Sequence, residues 1–412
     1  MNRMRDRMFW KFRAYGLLKN LRLFDPFLVL FFREAGLTFL AIGSLYAIRE
    51  ICTNVFEIPT GVIADAFGRR RAMIASFASY LGSFALFGFF TGYASFAPAM
   101  VLFALGEALR SGTHKAMILE HLRQRGIEDQ SVAYYGKTRA ASQFGSALAA
   151  LLGAGAVFWA GSYRVVFLAS MVPYVLALFL MLGYPGELDG HVERVTWSWK
   201  DLLGRLRKTV RTSLASLGQP ALLRGLLSGG TFDAVFRSTK DYLQPILQAQ
   251  ALALPVFLAL HDEQRVAIVV GGLFFVVYLA TSFASSRAGA VRERARSLPA
   301  AINGIYLAGT GLLAAAGLSA WGGWQGVAIA AYLLLYVSQN VRRPMIVGYV
   351  SEQIDHRMMA TGLSVETQLR TVLTAILAPL VGLLADRLGV GAAILCIAGV
   401  ALVGYPLVRV RE

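Results

Sequence analysis

Apolar residues along this chain come in long unbroken blocks, and polar residues gather in short segments between them. Met73–Phe90, Val165–Leu182, Val266–Ala280 and Val327–Val337 show the pattern most plainly. None alternates apolar with polar at a period of two, which excludes the strands of a membrane barrel. Extended to ~20 residues with its flanks, each block matches a hydrocarbon core of ~30 Å when helical. In lipid a helix satisfies its own backbone hydrogen bonds, which an unpaired strand cannot. The blocks predict twelve spanning helices, at 12–33, 38–64, 72–94, 98–120, 137–160, 165–184, 220–247, 265–285, 298–319, 325–348, 358–384 and 390–408.

Composition agrees. The chain is 56% apolar and 16% charged, whereas soluble domains carry roughly a quarter charged residues. A net charge of +16 would suggest a nucleic-acid partner in a soluble protein, so the placement of that charge decides its meaning. Arg3, Arg5, Arg7, Lys11, Arg69, Arg70, Arg71, Arg123, Arg125, Arg205, Arg207, Lys208, Arg211, Arg287, Arg292, Arg294, Arg296, Arg409 and Arg411 all fall on one side if the chain starts inside. The opposite loops hold only Arg164, Arg265 and Arg387 beside Asp262, Glu263 and Asp386. This bias orients the chain with both termini cytoplasmic in a bacterial-type inner membrane, and no nucleic acid is expected as a partner. No small-residue cleavage site precedes the first span, which is expected to serve as its own uncleaved insertion signal. Cys52 and Cys396 lie in different spans and read as small buried apolar residues, without metal or disulfide spacing.

After Tyr184-Pro185-Gly186 the apolar blocks stop until about Gln219. Within this stretch Trp197, Trp199, Leu202, Leu203, Leu206, Val210, Leu214 and Leu217 recur at helical spacing, with Arg205, Arg207, Lys208 and Arg211 between them. A basic amphipathic helix of this kind belongs in the headgroup layer, or serves as a solvated linker. The expected organisation is an amino-terminal six-helix bundle (1–185), a cytoplasmic linker (186–219) and a carboxy-terminal six-helix bundle (220–412).

The most informative local sequence is Gly61-Val-Ile-Ala-Asp65-Ala-Phe-Gly68-Arg69-Arg70-Arg71, between the second and third spans and preceded by Glu57-Ile-Pro-Thr. It resembles the signature loop of the major facilitator superfamily, and span count, loop charge and the long central loop extend the resemblance over the whole chain. The implied fold is all-α, with twelve transmembrane helices in two pseudo-symmetric six-helix bundles. Physically, Gly61 admits a close neighbouring helix, Asp65 suits an arginine or a helix N-terminus, and Gly68 allows a tight turn. Arg69 and Arg70 anchor the loop to anionic lipid. By resemblance, Gly61, Asp65, Gly68, Arg69 and Arg70 form a conformational switch that latches the bundles. Ala66 stands where the family usually has a basic residue, and the equivalent loop of the second half, Ser285–Ser297, lacks the glycine–aspartate core. A similar string, Gly382-Leu-Leu-Ala-Asp386-Arg387-Leu-Gly389, ends the eleventh span. The fifth span has Ala141, Gly145, Ala149 and Gly153 at four-residue spacing instead of a Gly-Pro signature, a pattern that predicts close helix packing.

Charges inside spans are costly and mark function. They concentrate on spans one (Arg22, Asp25), four (Glu107, Arg110, His114, Lys115), seven (Asp233, Arg237, Lys240, Asp241) and ten (Arg342, Arg343). In the resembled fold these four spans line the central cavity. Arg49-Glu50 in span two and Glu366 with Arg370 in span eleven extend the set, while Lys137 and Arg139 read as interface anchors or cavity residues. Intrahelical pairing of Glu107 with Arg110, Asp233 with Arg237 and Glu366 with Arg370 is the structural alternative.

Bases outnumber acids in this set, and guanidinium groups bind carboxylate or phosphate through a two-bonded fork. The expected solute is therefore a small polar organic anion or zwitterion held by Arg22, Asp25, Arg49, Glu107, Arg110, His114, Lys115, Asp233, Arg237, Lys240 and Arg343. Asp25, Glu50, Glu107, Asp233 and Glu366 are candidates for proton coupling. The bundles would rock about this site in alternating access. No phosphate-binding glycine loop, metal motif or nucleophile constellation is present, so neither a cofactor, a metal nor an enzymatic reaction is expected. The expected partners are the solute, the bilayer and a coupling proton, and the expected state is a monomer. A multidrug/proton antiporter and a metal-ion exporter are the rival readings.

Overall fold

The computed structural model describes residues 6–189, 204, 220–353 and 359–411. The linker helix expected at Trp197–Leu217 lies, apart from Gly204, outside the described residues. In chain order the helices are α1 (Arg7–Lys19), α2 (Leu28–Glu34), α3 (Phe39–Phe67), α4 (Arg69–Phe89), α5 (Tyr93–Arg110), α6 (Thr113–Gln124), α7 (Ser131–Ala160) and α8 (Val165–Leu182). Then follow α9 (Pro220–Thr239), α10 (Leu243–Ala253), α11 (Asp262–Ser286), α12 (Ala288–Arg294), α13 (Leu298–Trp321), α14 (Gln325–Glu352), α15 (Met359–Leu388) and α16 (Val390–Val408).

Eight of these, α3, α4, α7, α8, α11, α13, α15 and α16, are long and apolar enough to cross a membrane on their own. The remaining four spans of the twelve are the charged ones, and three of them are broken. Span one is α1 and α2 joined by a 3-10 turn at Asp25–Phe27, with Pro26 in its first turn. Span four is α5 and α6, separated where Ser111 turns extended and Gly112 adopts φ 73°. Span seven is α9 and α10, separated by a 3-10 turn at Lys240–Tyr242. Span ten, α14, is continuous but holds Gln339, Asn340, Arg342, Arg343 and an internal Pro344. Broken helices free backbone groups that lipid cannot satisfy, so they persist where protein or a polar cavity covers them.

The described residues form two compact units. One draws on Met1–Ala35, Ile51–Trp197 and Phe257–Tyr278, the other on Gly36–Glu50, Ser198–Val256 and Leu279–Glu412. Helices α3 and α11 thus contribute to both.

The core of the first unit is aromatic. Phe167 stacks on Phe24 with ring centroids 5.1 Å apart and on Phe87 at 4.7 Å. Phe84 meets Phe24 and Tyr174 edge-on or tilted. Such pairs contribute about 0.5–1.5 kcal/mol each beyond contact area. That term matters in lipid, where burial from water no longer drives helix association. The glycine stripe of α7 packs as its spacing predicts: a Cβ on Gly145 would lie 2.6 Å from the Leu17 carbonyl oxygen, and one on Gly153 2.5 Å from that of Leu23. The α7 backbone therefore rests directly on span one. The second unit packs α9, α13 and α14 through Leu226, Ile302, Met345 and Ile346.

Outward-facing apolar side chains mark the lipid surface. Val172, Leu176 and Phe179 share an exposed face of α8, and Val400, Val403 and Leu407 one of α16. The cysteines depart from expectation: Cys396 is exposed and Cys52 only half-buried, and both are free. Cys396 lies on α16, the helix whose exposed apolar face presents Val400 and Val403, so its small apolar side chain needs no protein cover there.

Candidate functional site

In the first unit, the break between α1 and α2 presents Arg22 to α5. Its guanidinium contacts Glu107 Oε1, and its Nε donates to the Tyr174 hydroxyl at 3.2 Å. Arg110, one turn from Glu107, donates to Glu107 Oε2 at 3.0 Å and to the Tyr80 hydroxyl at 3.2 Å. Tyr80 in turn donates to Glu107 Oε1 at 2.5 Å. Two guanidinium groups thus share one carboxylate, and two tyrosines from α4 and α8 fix their geometry. The expected pair Glu107–Arg110 is present, with Arg22 as an interhelical third member.

A cavity of about 350 Å³ opens in the same unit between α1, α6 and α7. Its wall includes Tyr15, Lys19 and Asn20 from span one, His114 from α6, and Thr138, Arg139, Ser142, Gln143 and Ser146 from α7. No aspartate or glutamate lines it. The Lys19 ammonium lies 5.5 Å from the Tyr15 ring centroid. Among the described residues neither Lys19 nor Arg139 forms an ion pair. His114 is buried, stacked on Tyr15 at 3.6 Å between centroids, with Nε2 3.3 Å from the Tyr184 hydroxyl. Arg139, read from sequence as an anchor or a cavity residue, is a cavity residue. Lys19, Asn20, Ser142 and Gln143 are additions that sequence reading missed. Lys19 and Asn20 sit just before a break that periodicity does not announce, and the α7 polar residues are interleaved with its packing stripe.

Lys115 lies apart from this cavity wall, exposed, with its ammonium 5.6 Å from the Tyr135 ring centroid. Asp25 is half-buried in the 3-10 turn after Arg22, its backbone N–H donating to the Arg22 carbonyl at 3.2 Å.

In the second unit Asp233 and Arg237 pair across helices, while Arg49 and Lys240 also pair with their chain neighbours. Asp233 on α9 takes Gln339 and Arg343 from α14, with Arg370 from α15 at 3.7 Å. Arg237 reaches Glu50 on α3 at 3.4 Å, and Glu50 also takes Arg49 at 3.2 Å. Lys240 pairs with its neighbour Asp241 at 2.6 Å. The i,i+4 alternatives Asp233–Arg237 and Glu366–Arg370 are therefore replaced, because facing helices offer better-aligned donors. Glu366 is 5% exposed and packs against the Gly229 backbone, where an added Cβ would lie 3.0 Å from its Oε1. It forms no ion pair among the described residues. Arg342 is buried and forms no ion pair among the described residues: it donates to Ser228 Oγ at 2.7 Å and sits 4.7 Å from the Phe232 ring centroid.

The loop between α3 and α4 is built in the first unit. Gly68 adopts φ 96° and starts α4. The Arg70 backbone N–H donates to Asp189 Oδ1 at 2.6 Å, and the Arg70 side chain to the Tyr184 carbonyl at 3.0 Å. Asp189, beyond α8, therefore caps the α4 N-terminus. Gly61 has nothing within 4 Å of an added Cβ, and Asp65 and Arg69 are exposed and half-exposed respectively.

Taken together, broken charged spans among apolar helices define a multi-pass membrane protein with polar clusters inside each unit. A family model described as Major Facilitator Superfamily matches residues 20–367. The chain belongs to the major facilitator superfamily, a family of transporters. A curated relative, an uncharacterized MFS-type transporter (YxaM) of Bacillus subtilis (strain 168), is 33% identical over 104 residues, about a quarter of each chain (25% of this one, 26% of the relative). Among solved structures, a point mutant of the nucleoside transporter NupG superposes with TM-score 0.78 at 12% identity, over 97% of this chain and 98% of that one. A D-xylose-proton symporter gives 0.68 at 15%, over 97% and 96%. A POT family transporter in complex with a thioalcohol-conjugated peptide gives 0.69 at 14%, over 97% and 93%. At such identities these likenesses establish the fold.

Proposed function

We propose that this protein is a secondary transporter that moves a small organic anion or zwitterion across the inner membrane by alternating access, driven by protons. The observation that carries the reading is the cavity between α1, α6 and α7, which offers Lys19 and Arg139 and no carboxylate. Two basic side chains without a described ion pair in one low-dielectric wall favour an anion between them. Asn20, Ser142 and Gln143 supply neutral partners for hydroxyl or amide groups of the same solute. Of the solute-binding candidates read from sequence, His114 lines this cavity, Arg22, Glu107 and Arg110 form a separate ion cluster of the first unit, and Asp25 and Lys115 lie outside its wall, while Arg49, Asp233, Arg237, Lys240 and Arg343 form ion pairs in the second unit.

Proton coupling is assigned to Glu366. Glu50, Glu107 and Asp233 already hold guanidinium partners, so protonating any of them would break an existing ion pair. Protonating Glu366 breaks no described ion pair. Gly61, Asp65, Gly68, Arg69 and Arg70 remain the proposed switch motif, with Asp189 holding their hairpin in register.

The test is a thermal-shift screen of purified protein against carboxylic acids, amino acids, phosphate esters, lipophilic cations and divalent metals. Stabilisation by anions or zwitterions alone supports the reading. Stabilisation by lipophilic cations instead makes the protein a drug/proton antiporter, and stabilisation by metals an ion exporter.

A further inference from the structure

The cavity between α1, α6 and α7 has a register as well as a charge. Helices α1 and α7 run side by side in the same direction, Leu17 meeting Gly145 and Leu23 meeting Gly153. A Cβ on Gly16 would lie 2.9 Å from Ser142 Oγ and 3.0 Å from the Thr138 carbonyl oxygen, so these residues share one level. Asn20, one turn on, donates to the Ser142 carbonyl at 3.0 Å. Lys19 follows Gly16 by three residues, whereas Arg139 directly follows Thr138. The two bases therefore stand at different levels of the slot, their backbones offset by ~5–10 Å, one to two helical turns.

The slot opens at its Arg139 end. Of its lining residues only Tyr135 and Arg139 are exposed, and Lys19, further along, is half-buried. Gln143, one turn beyond Arg139, has an amide with no hydrogen bond among the described residues. Phe12, packed edge-on against His114, and the Tyr15–His114 stack give the same wall apolar surface.

The local charge is one-sided. The charges acting most strongly on Lys19 are those of Arg110, Arg22, Glu107 and Arg139, and Glu107 is already shared by Arg22 and Arg110. The wall offers no carboxylate to the ammonium of a zwitterion. A monoanion would meet one of the two bases and leave the other facing a poorly solvated wall. A compact dianion would bring both its charges to one level, while the bases occupy two.

On the anion-transporter reading of this cavity, we propose that its solute is an elongated dianion, with one carboxylate at Arg139, the other at Lys19, and an apolar linker against the aromatic wall. Gln143 donates to the anion between the two bases.

Binding is measured by isothermal titration of purified full-length protein at neutral pH, where both carboxyls of a diacid are ionised. Adipate should bind at least about tenfold more tightly than adipamate, its half-amide of nearly the same shape. It should also bind more tightly than succinate or methyl phosphate. Lys19→Gln and Arg139→Gln should each bring the adipate-to-adipamate ratio close to one, and Lys19→Arg should keep it high. Equal affinity for adipate and adipamate in wild type would overturn the second charge and leave the anion reading standing. Succinate or methyl phosphate binding more tightly than adipate would overturn the elongated shape. A preference surviving both glutamine substitutions would put the diacid elsewhere and overturn the assignment to these two bases. Binding of lipophilic cations or divalent metals, with none of these anions bound, would remove the anion reading itself.

Discussion

Arg22, set in the break of the first span, and Glu107, on α5, meet in an ion pair across 85 residues of sequence. Arg110 joins from the other carboxylate oxygen. The Arg22, Glu107 and Arg110 side chains are 22%, 25% and 18% exposed, so the cluster is mostly shielded. Removing the shared carboxylate is therefore worse than removing either base. Glu107→Gln should destabilise the purified protein by up to about 3 kcal/mol, since it leaves two guanidinium groups facing each other. Arg22→Gln or Arg110→Gln should cost less, because Glu107 keeps one partner. Thermal midpoints in detergent give the order, and a Glu107→Gln midpoint above either arginine variant would contradict it.

Glu366→Gln should separate driven from exchange transport. In proteoliposomes with an imposed pH gradient, the variant should lose accumulation while keeping solute counterflow, which needs no net proton movement. Accumulation at the wild-type level would remove Glu366 from the coupling path.

Gly145→Val should fail through the backbone contact with Leu17. Overpacking of this kind costs about 1–3 kcal/mol, whereas Gly155→Ala, with open space at its Cβ, should be tolerated. The comparison is read from the folded yield in detergent by size-exclusion chromatography.

Much of this architecture was legible in the sequence. The apolar blocks gave the spans closely, and the concentration of charge in spans one, four, seven and ten anticipated the four that fail as simple apolar helices. The Ala141–Gly153 stripe located a helix contact correctly because small residues at four-residue spacing have a geometric meaning. Partner choice was not legible. Arg370 lies four residues from Glu366 yet reaches Asp233, and Arg237 bypasses Asp233 for Glu50, because helical spacing fixes a face and says nothing of what faces it. The cap that Asp189 places on α4 was also hidden, since a carboxylate in a loop carries no periodicity. Lys19 escaped for a related reason: the break that follows it depends on Pro26 and the 3-10 turn, which no hydropathy window registers.

The central claim is that an anion sits between Lys19 and Arg139. Its most direct measurement is the affinity of wild type, Lys19→Gln, Arg139→Gln and Lys19→Arg for the organic acid that stabilises the protein most. Each glutamine variant should bind about tenfold more weakly or worse, a loss of about 1.4 kcal/mol, while Lys19→Arg should retain most of the affinity. Wild-type affinity in both glutamine variants would mean that the solute binds elsewhere.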